Sequence, residues 1–489
     1  MRPARLLTTT AVATLLGAVA LPSPSSALGA DLPTTCAQAA DAAVDEGLTL
    51  LHNMMYIRAE AAFNRAAGAD PACAMAQWGI AMANFHPLWP GTPTEAETLR
   101  GQAAAEALAS LSPGNALEQR LADAAAAFYT PGHDGYRARI VAWAEAQDAA
   151  YAQTPDNVDA GALAALARLA TAPPGPDGIA TLAAVGDLLD QLYARAPDHP
   201  GVIHYAIHAY DNPGLKDRGL PYAEIYDEIS PSDAHALHMP AHIFTRTGDW
   251  ARSIDLNRRS AEAARAQSGD VVQTHYVHAI DYMVYGHLQL GQPQEAERLV
   301  DEMLGIANHQ VSFGGAYALA ASPVRLLLEQ EKWAEAAALS PDMHAAIPWD
   351  AFPQTVAMRW FAKGLGAART GDVDTAGVAV ERLESLKEAM TEQGQRYWAR
   401  LAESQILTIS AWIAMAQGDT ASAIAQQTEA AEIEDAAGKS PVTPGHVLPA
   451  RELLGDMFST LGEGDKAAEA YRATLAQSPN RARSLAAQK

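Results

Sequence analysis

A recurring turn constrains this chain more than any other feature. From residue 248 onward, a short turn followed by an acidic, alanine-rich segment recurs at Gly248-Asp249-Trp250, Gly291-Gln292-Pro293, Glu331-Lys332-Trp333, Gly371-Asp372, Gly418-Asp419 and Gly464-Asp465. The steps are 43, 40, 40, 47 and 46 residues. A stacked array of helix pairs explains such spacing, because each pair buries its apolar face only against its neighbours. No stretch alternates apolar and polar residues as a half-buried strand would.

Upstream, residues 28–197 break into short alanine-rich segments at Ser112-Pro113-Gly114, Thr130-Pro131-Gly132, Thr154-Pro155-Asp156 and Ala172-Pro173-Pro174-Gly175-Pro176. Leu51, Met55, Ala59, Ala62, Phe63 and Ala66 fall at helical spacing, and Asp70-Pro71 stops that helix. Aromatic residues make up only 7% of the chain while alanine is abundant, which favours packed helices over sheets. The fold class expected is all-α, a right-handed superhelical array of antiparallel helix pairs. It divides into an N-terminal helical region (28–197), a histidine-rich central region (198–310) and C-terminal repeats (311–489).

Residues 1–27 read as a signal peptide. Arg2 and Arg5 precede the apolar or small residues 6–21, and small residues around Ala27, Gly29 and Ala30 suit cleavage. No later run has the roughly 18 apolar residues of a membrane span. The expectation is a secreted or periplasmic protein. In that compartment the two cysteines, Cys36 and Cys73, favour a disulfide over two free thiols, and without C-x-x-C spacing they do not read as metal ligands.

The chain carries 34 basic and 57 acidic residues, a net charge of −23, with no basic stripe. A nucleic-acid partner therefore lacks its electrostatic footprint. The sequence contains no H-E-x-x-H, P-loop, G-x-S-x-G or C-x-x-C-H motif, and no dinucleotide fingerprint follows a strand.

Histidine is the outlier. Nine of fifteen histidines lie within residues 199–287, where an even spread would place about three. His204 and His208 are four apart, and His235, His238 and His242 follow at spacings of three and four. On helices these spacings put imidazoles on one face, as a shared metal ion requires. Met239-Pro240 interrupts the second run, so a helix starting at Pro240 would leave His235 and His238 on its lead-in. His52 and His86 are candidate additional ligands from the opening repeat. His275, Asp211 and Tyr210 are candidate proton-transfer groups. Copper or zinc suits such ligands, and nearby Met54, Met55 and Met239 do not choose between them. The bland reading, histidines packed between helices, stands beside this one.

The opening block (His52, Tyr56, Ala59, Phe63, Asp70-Pro71, Trp78-Gly79, His86-Pro87-Leu88-Trp89) and the central block (His204, His208, Tyr210-Asp211, His235-Ala236-Leu237-His238-Met239-Pro240, His242, Gly248, Trp250) together resemble a family of bacterial secreted tetratricopeptide-repeat proteins. The two blocks cover about 90 residues. The later steps exceed the roughly 34 residues of a regular repeat, so helices are longer or turns carry insertions. The resemblance implies an α-solenoid and no particular reaction. Three functions follow as expectations. The first is a divalent-metal site that activates water or dioxygen for a small-molecule substrate. The second is a scaffold that holds a peptide or protein partner in its concave groove. The third is a protein that stores or delivers copper or zinc.

Overall fold

The computed structural model describes residues 32–89, 92–133, 135–173, 176–340 and 343–488; the signal peptide expected at 1–27 lies outside the described residues. The chain is an all-α superhelical array of antiparallel helix pairs, running from helix Gln38–His52 to helix Ala482–Ala486, with successive helices packed on one another. Among the described residues the one extended pairing is an isolated bridge between Val272 and His309. No helix among them is long and apolar enough to cross a membrane.

The recurring turns have a common construction. Gly248, Gly291, Gly371 and Gly418 take φ values of 73°, 70°, 85° and 82°, the left-handed conformation that ends a helix without a Cβ clash. The next helix is then capped. Asp249, Asp372 and Asp419 accept the backbone N–H of Arg252, Thr375 and Ser422, while Pro293 occupies a first helical position. Glu331 fills the same left-handed place without glycine, at φ 55°. The last turn sits two residues earlier than the sequence reading put it. Gly462 is the left-handed residue, and Gly464 is already the first residue of helix Gly464–Gln477.

In the opening repeat, Phe63 of helix Tyr56–Ala69 is fully buried between two glycines. A Cβ at Gly47 or Gly79 would come within 2.8 or 2.3 Å of the Phe63 ring, so both neighbouring helices approach it closely only because they are bare there. Cys36 and Cys73 form a disulfide that ties the lead-in of the first helix to the start of helix Ala74–Ala83. One buried apolar cluster runs from Leu32 to Ile347 and so joins the N-terminal and histidine-rich regions; a second runs from Tyr317 to Met457.

The array also closes on itself. Trp250 donates its indole N–H to the Asn480 carbonyl at 3.0 Å, and the Ala482 N–H reaches Gln289 at 2.9 Å. The buried Arg481 guanidinium grips Glu452 at 2.8 and 2.9 Å and donates to the Tyr285 hydroxyl at 3.2 Å. The strap formed by residues 438–449 folds back as well. Buried Arg325, paired with Asp281 at 3.2 Å, donates to Thr443 Oγ1 and to the Gly445 and His446 carbonyls at 2.7, 2.7 and 3.0 Å.

Candidate metal centre

The central histidines sit on three helical segments. His204 and His208 lie one turn apart on helix Pro200–Tyr210. The helices Ala234–His238 and Pro240–Thr247 meet at Met239, which itself has helical dihedrals (φ −56°, ψ −41°). Pro240 removes one backbone donor but does not turn the chain, so His235, His238 and His242 follow one helical path. His275 and His278 lie on helix Thr274–Gln289.

These residues form two groups where the sequence reading expected one. His204, His208 and His235 gather in one triad, and His238, His242 and His278 in another; within each, ligating nitrogens lie within 4.8 Å of one another. The triads are neighbours, with ring centroids 6.1 Å apart for His235 and His238 and 6.3 Å apart for His208 and His242.

Hydrogen bonds behind the rings set which nitrogen faces inward. His242 Nδ1 is 2.9 Å from the Asp211 carboxylate, and a carboxylate accepts, so Nδ1 carries the proton. His238 Nδ1 is 2.7 Å from Asn257 Oδ1, and the Asn257 amide nitrogen is committed to the Ser253 carbonyl, so His238 Nδ1 also donates. Both Nε2 atoms are then bare lone pairs, yet they face each other at 2.9 Å. In the other triad His204 Nδ1 donates to the His52 carbonyl at 2.6 Å, and its Nε2 faces His208 Nε2 at 3.2 Å. The tautomer of His208 is not fixed in this way, so that contact also fits an N–H···N bond. Both ring nitrogens of His235 and Nδ1 of His278 are buried with no hydrogen-bond partner.

Burial keeps these rings neutral. It pushes His204 and His278 down to about 3 and His275 to about 4. His208, His235 and His238 fall well below the ordinary imidazole range for the same reason, reinforced by neighbouring histidines. Burial also lowers His242, against the opposing pull of Asp211. Neutral imidazole is the ligand form. Burial alone would raise the Asp211 carboxyl, but Lys439, Arg246 and the His242 N–H together hold it well below the usual carboxylate range. Arg246 donates to it at 2.7 Å and Lys439 Nζ lies 3.5 Å away. Asp211 therefore orients a histidine and is not itself among the grouped ligands.

Other residues singled out from sequence sit elsewhere. His52 belongs to a third group with Asp159 and His199, in which both histidine Nε2 atoms lie 3.0 Å from Asp159 Oδ1. His52 Nδ1 is 3.0 Å from the Tyr205 hydroxyl, and His199 Nδ1 accepts the Val202 N–H. Hydrogen bonds already engage these rings, and the group's effect is to fix the segment whose carbonyl holds His204. A Cβ at Gly201 would fall 2.3 Å from His52 Nδ1, so only a bare position admits that ring. His86 stacks on Tyr56 at 4.6 Å and faces Glu97 at 3.7 Å, joining neither triad. Tyr210 donates to Asp190 at 2.8 Å, beside Arg218, and does not reach the triads. His275 stays at the site, its ring 5.4 Å from His235 and 5.5 Å from Trp89.

A cavity of about 280 Å³ opens onto both triads through His208, His235, His242 and His278, with His275 in its wall. Met54, Leu88, Trp89, Met239, Pro441 and Val442 supply the apolar lining, the last two from the returning strap.

No protein-family model matches the chain, and no curated protein matches it. Among solved structures it is similar to the human IFIT1 dimer with PPP-AAAA (14% identity over 81% of this chain and 72% of that one, TM-score 0.34). It is also similar to the P58(IPK) TPR domain (10% identity, 92% and 96% covered, TM-score 0.23) and to Naa15/Naa10 bound to HypK-THB (11%, 88% and 62%, TM-score 0.26). The overall superposition is low in each case, and nothing these proteins bind is carried over to this chain.

Proposed function

We propose that this protein binds two transition-metal ions, copper or zinc, one in each histidine triad, and that the paired site acts on a small molecule in the adjoining cavity. The facing lone pairs of His238 and His242 carry the proposal. Two bare Nε2 atoms at 2.9 Å repel unless a cation lies between them, and burial opposes a proton in that role. A copper or zinc ion held by both nitrogens would satisfy the two lone pairs together. When bound there, such an ion supplies Lewis acidity toward water or dioxygen at an open coordination position. Asn257 and Asp211 hold the rings in their ligating tautomers, and His275, a neutral imidazole in the cavity wall, exchanges protons with what binds there.

The N-terminal pattern and the Cys36–Cys73 disulfide support a secreted or periplasmic location, in keeping with the resemblance to bacterial secreted repeat proteins. Elemental analysis of purified, tag-free protein tests the proposal, with two equivalents of copper or zinc expected. The double variant His204→Ala/His238→Ala should lose both while keeping its helical circular dichroism. Retained metal would refute the ligand assignment. Absence of metal from the native protein, even after incubation with copper or zinc, would return the chain to the rival reading of a scaffold for a peptide or protein partner. Stoichiometric metal with no turnover on any substrate would favour storage or delivery.

A further inference from the structure

We infer that the cavity between the triads and the strap is a binding site for a neutral ring compound of one or two rings. The inference deepens the metal-site reading by naming the class of molecule presented to it. Volume sets the size: a cavity of about 150 Å³ accepts benzene, and this one is about 280 Å³. The lining sets the charge. Among the described residues the wall holds no lysine, arginine, aspartate or glutamate. In the metal-free protein an ionic ligand would therefore lose its water without gaining a charged partner in the wall. Trp89 stands edge-on to His235 at 5.1 Å and to His275 at 5.5 Å, which gives a flat guest an aromatic wall on the way to the first triad. Thr274 and Ser440 are the hydroxyl-bearing side chains of the wall, enough to orient one polar substituent.

The wall is also built so that one bare position keeps it open. Gly314 lies on helix Phe313–Leu328, where a Cβ would come 3.3 Å from Thr274 and 4.0 Å from Val442. The first atom of a side chain there meets Thr274 and Val442 and no triad histidine within 4 Å, so a larger residue is expected to take up the guest's space.

The test is calorimetric titration of the full-length protein, metal-free and metal-loaded, with 1-naphthol, 1-naphthoate and 1-naphthylmethylammonium. The metal-free protein should bind 1-naphthol at least tenfold more tightly than either ion. Gly314→Leu should abolish that binding with metal content unchanged, and Val442→Phe should weaken it at least tenfold. Circular dichroism and melting profiles identify any variant that has failed to fold, and Val442→Phe then decides alone. Equal or tighter binding of naphthoate to the metal-free protein would overturn the inference, as would naphthol binding that survives both substitutions. Naphthol binding without any metal uptake would leave the inference standing and remove the metal reading. Metal uptake without naphthol binding would do the reverse.

Discussion

Asp211→Asn separates the two triads. In the native protein the Asp211 carboxylate accepts the His242 Nδ1–H at 2.9 Å and Arg246 Nε at 2.7 Å, while its carbonyl takes Arg246 Nη2 at 3.0 Å. The amide keeps the shape but removes the charge. Its oxygen can still accept from only some of these donors, and Arg246 and Lys439 lose their anion in a buried setting. Breaking a buried ion pair from one side costs roughly 3–5 kcal/mol. Loss of the group that orients a ligating histidine weakens metal binding by roughly 10–100-fold. The expected result is therefore asymmetric. A chelator competition on the native protein should resolve two metal equivalents. In Asp211→Asn the equivalent held by His238, His242 and His278 should weaken by that factor, while the equivalent held by His204, His208 and His235 keeps its affinity. Denaturant unfolding of the metal-free variant should show the stability loss separately. Two equivalents that weaken together, or neither weakening, would refute the assignment of Asp211 to one triad.

Three further outcomes are expected. Replacing Cys36 and Cys73 with serine opens a loop of sequence separation 37 and should cost about 4 kcal/mol in urea unfolding, with metal content retained; loss of metal would contradict a purely structural role. The metal-free protein should lose stability on acidification. His204, His278 and His446 are held at about 3 when folded, against an ordinary value of 6.5, so the unfolded chain binds more protons between those limits. Stability present above pH 6.5 drains as pH falls toward 3, and equal urea midpoints at pH 7 and pH 5 would refute this. Glu434 acts in the opposite sense. Burial raises it to about 8, so its contribution is full below about pH 4.5 and is lost as pH rises through 8; Glu434→Gln should flatten that alkaline limb of the stability curve, and an unaltered limb would disprove the assignment.

The parts of this architecture that depend on local rules were legible in the sequence. Glycine followed by aspartate marks a helix end and the next cap at Gly248, Gly371 and Gly418, and the turns at Gly291 and Glu331 fall where the repeat spacing puts them. The sixth misled because Gly462 and Gly464 both offer a glycine two residues apart. His204 and His208 declared themselves by spacing. Tyr210 could have been set aside on the same rule: two residues beyond His208 is about 200° around a helix, the opposite face. How the histidines divide between two triads was not legible, because His235 and His238 share a helix face and are sorted by what packs opposite them. His278 lies three residues from His275, and choosing between them requires knowing how helix Thr274–Gln289 is rotated. Asn257 and Lys439 carried no local signal at all. They reach the site from helices or straps brought close by the fold, Lys439 from 228 residues away.

An open solenoid tolerates gain or loss of a repeat, since each unit touches only its neighbours. This one does not have that freedom. Gly248 and Asn480 meet across 232 residues, and Lys439 meets Asp211 across 228. Every helix pair between those contacts sets the angle and height at which the strap arrives over the histidines. Duplicating one whole repeat between residues 291 and 418 would leave each local junction intact, yet swing Ser440, Pro441 and Val442 away from the cavity they wall. The number of repeats is thus part of the site's specification, as much as the identity of any ligand.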